Sequence, residues 1–293
     1  MIKPGDARLR YDVVDVFTDR PYAGNPLAVV HGADRLDTAQ LQRIAQEFNL
    51  SETAFPMRPT QDGADYRLRI FTPRAELPFA GHPSVGSAWV LARDGAIGIG
   101  EAVQECGAGL LPISVDQAGA TLTGGPARLG AELDAAELAA AAGLDVSDVD
   151  GAGAPGIAGC GIEFAYLLVR PDAVSRAMVE AAAAKRAGVP HGLVVVSYDS
   201  ESNAAHARMF APNLGVREDP ATGSAALGLG VWLADRGLVG DGDTRYVVSQ
   251  GAEIGRPSTL DCTVTVEDYT VTRATVRGGV VPVASGTLAT PST

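Results

Sequence analysis

Two stretches decide the reading of this chain: Arg67-Leu-Arg-Ile-Phe-Thr-Pro73 and His206-Ala-Arg-Met-Phe-Ala-Pro212. They agree at Arg69 and Arg208, at Phe71 and Phe210, and at Pro73 and Pro212. A few residues on, His82-Pro-Ser-Val-Gly-Ser87 matches Asp219-Pro-Ala-Thr-Gly-Ser224, with the spacing between copies changed by only two residues. Both copies then run into an apolar stretch around Trp89 and Trp232. Two copies are too few for a solenoid. The expectation is a duplicated domain with pseudo-twofold symmetry.

Each copy has the same local grammar. Residues 67–72 and 206–211 alternate as strands do, and the proline near the end of each has no N–H to continue a ladder. Proline suits the first helical turn, where its missing N–H would lack a partner anyway. His82-Pro83 and Asp219-Pro220 thus predict helices over 83–93 and 220–236, with Asp219 as the N-cap of the second. Both are largely apolar, so each should be buried with sheet wrapped around it.

Working outward, residues 12–17 and 27–30 form a hairpin around Tyr22-Ala-Gly-Asn-Pro26. Leu41, Ile44, Ala45 and Phe48 keep helical spacing behind Asp37, which predicts a capped helix over 38–48. Alanine-rich helices are expected over 133–142 and 171–188, and strands over 162–169, 193–198, 245–249 and 263–276. Gly124-Gly-Pro126 lies in the glycine-rich stretch 119–130, the best boundary between halves. The domains are therefore 1–125, joined by the extreme C-terminal strand, and 126–285. Residues 289–293 should be disordered.

Composition narrows the class. The 293 residues carry a net charge of −12 without a basic cluster, so no positive stripe is available to displace nucleic-acid counterions. Apolar runs such as 164–169 are too short to cross a bilayer, and the first eight residues lack a secretory signal; a cytoplasmic protein is expected. Cys106, Cys160 and Cys262 form no C-x-x-C pair and the four histidines no H-x-x-x-H pair, so no metal site is expected. Gly228-Leu-Gly230 lacks the third glycine of a dinucleotide fingerprint, and neither a P-loop nor a nucleophile elbow occurs. No cofactor is expected.

Two features could carry chemistry. Glu52, in Asn49-Leu-Ser-Glu-Thr53, sits where a helix gives way to a strand, between Leu50 and Phe55, and burial there would raise its pKa toward working pH. A solvated turn glutamate is the commoner occupant of such a place, and periodicity does not decide. The helix starts offer unpaired N–H groups and a partial positive charge that bind carboxylates or enolates. Across a twofold axis they would share one cleft for a small anionic substrate. Small residues (Gly81, Ser84 and Gly86; Ala221, Thr222, Gly223 and Ser224) would let the ligand reach the backbone. Simple capping by Asp219 and Ser224 explains the second start equally well. His82 is the one histidine in a glycine-flanked loop at a helix start, although lone histidines are more often structural than catalytic.

Asp15-Val-Phe-Thr18 with Gly24-Asn-Pro26, Asn49-Leu-Ser-Glu-Thr53, Phe71-Thr-Pro73, Glu76-Leu-Pro-Phe-Ala-Gly-His-Pro83 and Glu218-Asp-Pro-Ala-Thr-Gly-Ser-Ala225 together resemble the PhzF family, as do Ser249-Gln-Gly251 and Gly255-Arg-Pro-Ser258. The resemblance implies an α+β fold like diaminopimelate epimerase: two pseudo-symmetric domains, each a mixed β-barrel around a central helix. It implies Glu52 as the acid–base residue, with His82 and Asp219 beside it. It also implies a pocket lined by Asn25, Ser51, Gly81, Ser84, Ala221, Thr222, Gly223 and Ser224, and a homodimer. The epimerase branch places a cysteine at each helix start, whereas Ala80-Gly81-His82 and Glu218-Asp219-Pro220 hold none. The implied activity is a cofactor-free isomerase that moves a proton and a double bond, since the family's best-known substrate is a dihydro-hydroxyanthranilate. The alternatives are an epimerase using Asp219 or His82 as second base, and a ligand-binding homologue without turnover.

Overall fold

The computed structural model describes residues 8–212 and 215–291. The stretch 1–7, where a signal was sought, lies outside the described residues, as do 292–293 of the tail expected to be disordered. The chain forms two compact units, one reaching Leu122 and resuming at Gly278, the other Thr123–Arg277.

In the first unit, β1 (Arg8–Val16) and β2 (Asn25–Val30) make the expected antiparallel hairpin. Helix α1 (Thr38–Phe48) is capped by Asp37, which accepts from Gln40 N while the Gln40 side chain accepts from Asp37 N. Such a box satisfies two of the N–H groups that every helix start leaves over. Asn49 ends α1 in the left-handed region at φ 50°, and three residues later β3 (Glu52–Met57) begins, parallel to β2. β4 (Tyr66–Phe71) is antiparallel to β3, and the two-residue β5 (Glu76–Leu77) pairs with its end. Then come α2 (Gly81–Arg93), β6 (Gly100–Cys106) parallel to β4, and the antiparallel β7 (Gly109–Val115) and β8 (Gly119–Thr123).

The second unit opens with β9 (Arg128–Glu132) and α3 (Ala135–Ala141) and then repeats this order, with two short helices in place of α1: β10 (Gly156–Gly159), β11 (Glu163–Leu168), α4 (Pro171–Val174), α5 (Ala181–Arg186), β12 (Leu193–Asp199), β13 (Ala204–Ala211), β14 (Val216–Asp219), α6 (Gly223–Asp235), β15 (Gly242–Gln250), β16 (Ser258–Glu267) and β17 (Thr270–Ala289). β11 and β12 are parallel like β2 and β3. β13 carries short β14 at one end and parallel β15 at the other, as β4 carries β5 and β6. β17 pairs with β16 over 270–277 and with β1 over 280–289. For that reason the second unit ends at Arg277, short of the expected 285. β17 also pairs with β8, so β17, β1, β2, β3, β4, β6, β7 and β8 close a mixed barrel.

Inside it, α2 packs on β1, β2, β3 and β7; in the second unit α6 packs on β9, β10, β11 and β16. Every residue from Gly223 to Leu233 is buried. Outer helices cover the other faces. Leu41, Ile44 and Ala45 of α1 pack with Phe55 and Phe71, and α3, α4 and α5 pack on Ala165, Leu167, Leu193 and Val195.

Several expected boundaries move. α2 starts at Gly81, which leaves Pro83 harmlessly inside the first turn, and α6 starts only at Gly223. The helix expected over 171–188 is two short ones, because the N–H groups of Met178 and Glu180 are drawn to Ala142 O and Ala141 O. The strand over 263–276 is two strands turning at Asp268 and Tyr269, both at positive φ (50° and 61°). That backbone suits a tight hairpin, but the pair lacks the Asn-Gly signature. Residues 100–132 hold four strands that were not anticipated. The tail stays in β17 to Ala289, and Pro291 O accepts from Gln40 Nε2 at 2.8 Å.

Glycines in a buried helix reverse the usual propensity argument. Gly to Ala in a helix interior ordinarily stabilises by about 1 kcal/mol. A Cβ on Gly228 would stand 2.3 Å from the Tyr166 hydroxyl, and one on Gly230 2.5 Å from that of Tyr246. Both hydroxyls are fixed by donating to carbonyls of α6, Ala225 O and Ala226 O. Gly228→Ala and Gly230→Ala should each destabilise by ~1–3 kcal/mol in urea unfolding, as overpacked cores do. A gain in stability would show that the tyrosines move aside freely.

Candidate active site

In the first unit the site begins with the sharp exit from α1. The left-handed Asn49 leaves only Leu50 and Ser51 before β3, so Glu52 heads the strand opposite Leu27. Ser51 Oγ donates to Asn25 Oδ1 at 3.0 Å, which ties this junction to the start of β2. Glu52 is held at its base, and its side chain keeps 15% exposure. His82 enters from the first turn of α2, and its Nε2 lies 3.5 Å from Glu52 Oε2.

His82 is 4% exposed, and burial pushes its pKa down to about 3 against a hydrogen bond to the Pro26 carbonyl. Nε2 makes no hydrogen bond, so Nδ1 is the nitrogen that donates to Pro26. A neutral ring with its proton on Nδ1 turns the Nε2 lone pair toward Glu52. Gly81 opens α2 and is buried. Ser84 is committed to the core: its hydroxyl donates to Ala80 O and accepts from Gln104, whose carbonyl accepts from Tyr66. Gly86 is a packing glycine, since a Cβ there would meet Leu27 and Val16 at 2.7 and 2.8 Å.

In the second unit Asp219 is not an N-cap. It ends β14, paired with Met209, and its carboxylate accepts from Thr222 Oγ1 at 2.5 Å. Gln250, given no role from sequence, binds this loop: Nε2 donates to Asp219 O at 2.7 Å and Oε1 accepts from Thr222 N at 3.2 Å. Its only sequence signal was its place in Ser249-Gln-Gly251. With the backbone of 219–222 spent this way, α6 begins at Gly223 and Ser224, and the buried Ala221 lies just before them. The N-cap residues Ala80 and Thr222 give α2 and α6 no side-chain cap, unlike Asp37 and Asp134 at α1 and α3. First-turn N–H groups left uncapped can serve an anion.

The strand registers align the two units and correct the repeat read from sequence. Glu76, Pro78 and Gly81 correspond to Glu218, Pro220 and Gly223, so His82 corresponds to Ser224 rather than Asp219. Thr53 faces Phe71 as Leu193 faces Phe210, which places Gly192 where the first unit has Glu52. A Cβ at Gly192 would stand 2.9 Å from Phe210 O and 3.0 Å from the Met209 sulfur. The second copy has no room for a carboxylate.

Elsewhere among the described residues, Asp12, His31 and Asp94 bring possible metal-ligand atoms within 4.8 Å of one another. Arg10 and Arg93 each contact both carboxylates, so their charge is already matched. No described helix is long and apolar enough to cross a membrane.

His82 carries a pH prediction. In the unfolded chain a histidine titrates near 6.5, whereas folded His82 does so at about 3. Between those values the unfolded state holds a proton that the folded state refuses, so stability falls as pH drops through that window. The slope from this group is at most about 1.4 kcal/mol per pH unit. His82→Asn should flatten the loss of urea stability between pH 6.5 and 4. Part of the slope will persist through His31, whose pKa burial also lowers. Identical slopes in both proteins would mean that His82 protonates in place.

With this geometry in hand, comparison with known proteins is direct. The family model for phenazine biosynthesis-like proteins (PhzC-PhzF) matches residues 14–286. The chain is 37% identical to an uncharacterized isomerase of Mesorhizobium japonicum, and 35% identical to the trans-2,3-dihydro-3-hydroxyanthranilate isomerase of Pseudomonas fluorescens. Each match covers 95% of this chain and 98% of the relative. The crystal structure of a PhzF-family protein from Bacillus anthracis superposes with a TM-score of 0.86 at 26% identity, covering 96% of this chain and 99% of that one. The barrels with their buried helices are thus the diaminopimelate-epimerase-like fold, and the chain belongs to the phenazine biosynthesis-like family as one of its PhzF-like isomerases.

Proposed function

We propose that the protein moves a proton, and with it a double bond, on a small anionic amino- or hydroxy-acid-like metabolite, using Glu52 as its single acid–base group and no cofactor. The observation that carries this is the pairing of Glu52 with a buried neutral His82 in one unit, against Gly192 at the matching place in the other. Glu52 as carboxylate takes a proton from an activated carbon. The negative charge left on the substrate is stabilised by N–H groups at the start of α2, beside Glu52. Glu52 then carries a proton beside the Nε2 lone pair, which can accept a hydrogen bond from the acid form. Return of that proton to a different carbon on the same face completes the shift.

Two features weigh against an epimerase. Inversion needs a second base on the far side, and a histidine with a pKa near 3 is too weak a base to compete at neutral pH. The Asp219 carboxylate is engaged by Thr222. The activity named for the Pseudomonas fluorescens relative supplies the first compound to try, trans-2,3-dihydro-3-hydroxyanthranilate.

Glu52→Gln should keep the fold and lower kcat by about 10²- to 10⁴-fold, the usual weight of a positioned acid–base group. Wild-type turnover in that variant would end the assignment. In deuterium oxide, product formed by the wild-type enzyme should gain or keep its hydrogen at the carbon that receives the proton, with residual substrate unchanged in configuration. Recovery of inverted substrate would replace the isomerase with the epimerase.

A further inference from the structure

Each unit contains the same ion pair just upstream of its buried helix. In the first, Arg69 Nε and Nη2 donate to the two oxygens of Glu76 at 2.7 Å each, and the guanidinium lies 5.1 Å over the Phe71 ring. In the second, Arg208 Nε and Nη2 donate to the two oxygens of Glu218 at 2.9 and 2.7 Å, 4.9 Å over Phe210. Glu76 precedes Gly81, the first residue of α2, by the same five residues that separate Glu218 from Gly223.

The second copy is built more heavily. The Arg208 and Glu218 side chains are 9% and 8% exposed, whereas those of Arg69 and Glu76 are 15% and 38%. Arg208 Nη1 also donates to the carbonyls of Val174, Ser175 and Ala177, at 3.3, 3.0 and 2.7 Å. All three of its nitrogens are therefore occupied. A buried pair of this kind adds little net stability, because removing both charges from water offsets most of their attraction. What a two-pronged guanidinium–carboxylate contact does supply is fixed geometry.

The object of that geometry is the neighbouring loop. Glu218 is bonded to Asp219, whose carboxylate holds Thr222, and β14 spans only Val216–Asp219. So short a strand has few ladder bonds with which to hold itself in place. We infer that Arg208 and Glu218 are positioning residues that lock the Asp219–Thr222 loop and the first turn of α6 in their working arrangement. The consequence for turnover rests on the isomerase reading above; the consequence for local order does not.

The test uses the full chain in four forms: wild type, Arg208→Lys, Glu218→Gln and the double variant Arg208→Met/Glu218→Met. Lysine keeps the charge without the fork, and the double variant leaves no lone buried charge, so it folds even if a single variant does not. Amide hydrogen exchange at 222–225 should quicken about 10-fold or more in every variant, with β16 unchanged. With trans-2,3-dihydro-3-hydroxyanthranilate as probe, kcat/KM should fall ~10- to 100-fold with KM raised ~3-fold or more. A mere loss of folded protein lowers kcat alone and leaves KM where it was. Unchanged exchange at 222–225, or a double variant with wild-type KM and kcat, overturns the inference. Faster exchange in a protein whose wild type leaves the probe unconverted upholds the lock and counts against that compound as substrate instead.

Discussion

A helix buried on all sides must still begin somewhere, and its first N–H groups have no partner within the helix. α2 and α6 are such helices, and neither receives a side-chain cap from its N-cap residue. The outer helices α1 and α3 do, from Asp37 and Asp134. The structure treats the two classes differently where the physics of the helix end is the same. Around the uncapped starts it gathers groups that bind protons or donate hydrogen bonds.

Duplication gave the protein two such starts, and later divergence gave them different equipment. The first keeps Glu52 and His82; the second keeps Asp219, Thr222 and Gln250. Close packing enforces the difference at Gly192, where even a methyl group would collide with Phe210 and Met209. That only one of the two matching places carries a carboxyl group is therefore a property of the backbone spacing as well as of residue choice. Chemistry that needs matched bases in both halves would require the second unit to be rebuilt around that position.

Much of this was legible in the sequence, though unevenly. The Arg-x-Phe strands and apolar helices announced the duplication because they bury regular surfaces, and α1 was readable down to its cap because Asp37 and Gln40 act locally. The match of His82-Pro83 with Asp219-Pro220 misled, since Gly86-Ser87 lies inside α2 while Gly223-Ser224 opens α6. The true correspondence is a sparse Glu-x-Pro-x-x-Gly, visible only once strand registers are known. Asp219 reads as a cap by type, yet Gln250, distant in sequence, holds the backbone away from that role. Nor could spacing reveal that His82 is neutral, which follows from burial and the Pro26 carbonyl. The strands of 100–132 were missed because Pro112 interrupts β7, Gly130 sits inside β9, and β8 and β9 are only five residues long.

β17 takes part in both units, pairing first with β16 and then with β1. The first barrel is therefore closed by residues made only after the whole of 123–277, which is contiguous and available earlier. Domains usually mature in the order of synthesis. Here the order is reversed: the amino-terminal half, with Glu52 already made, has to wait unclosed for its final stave until the second unit has been made.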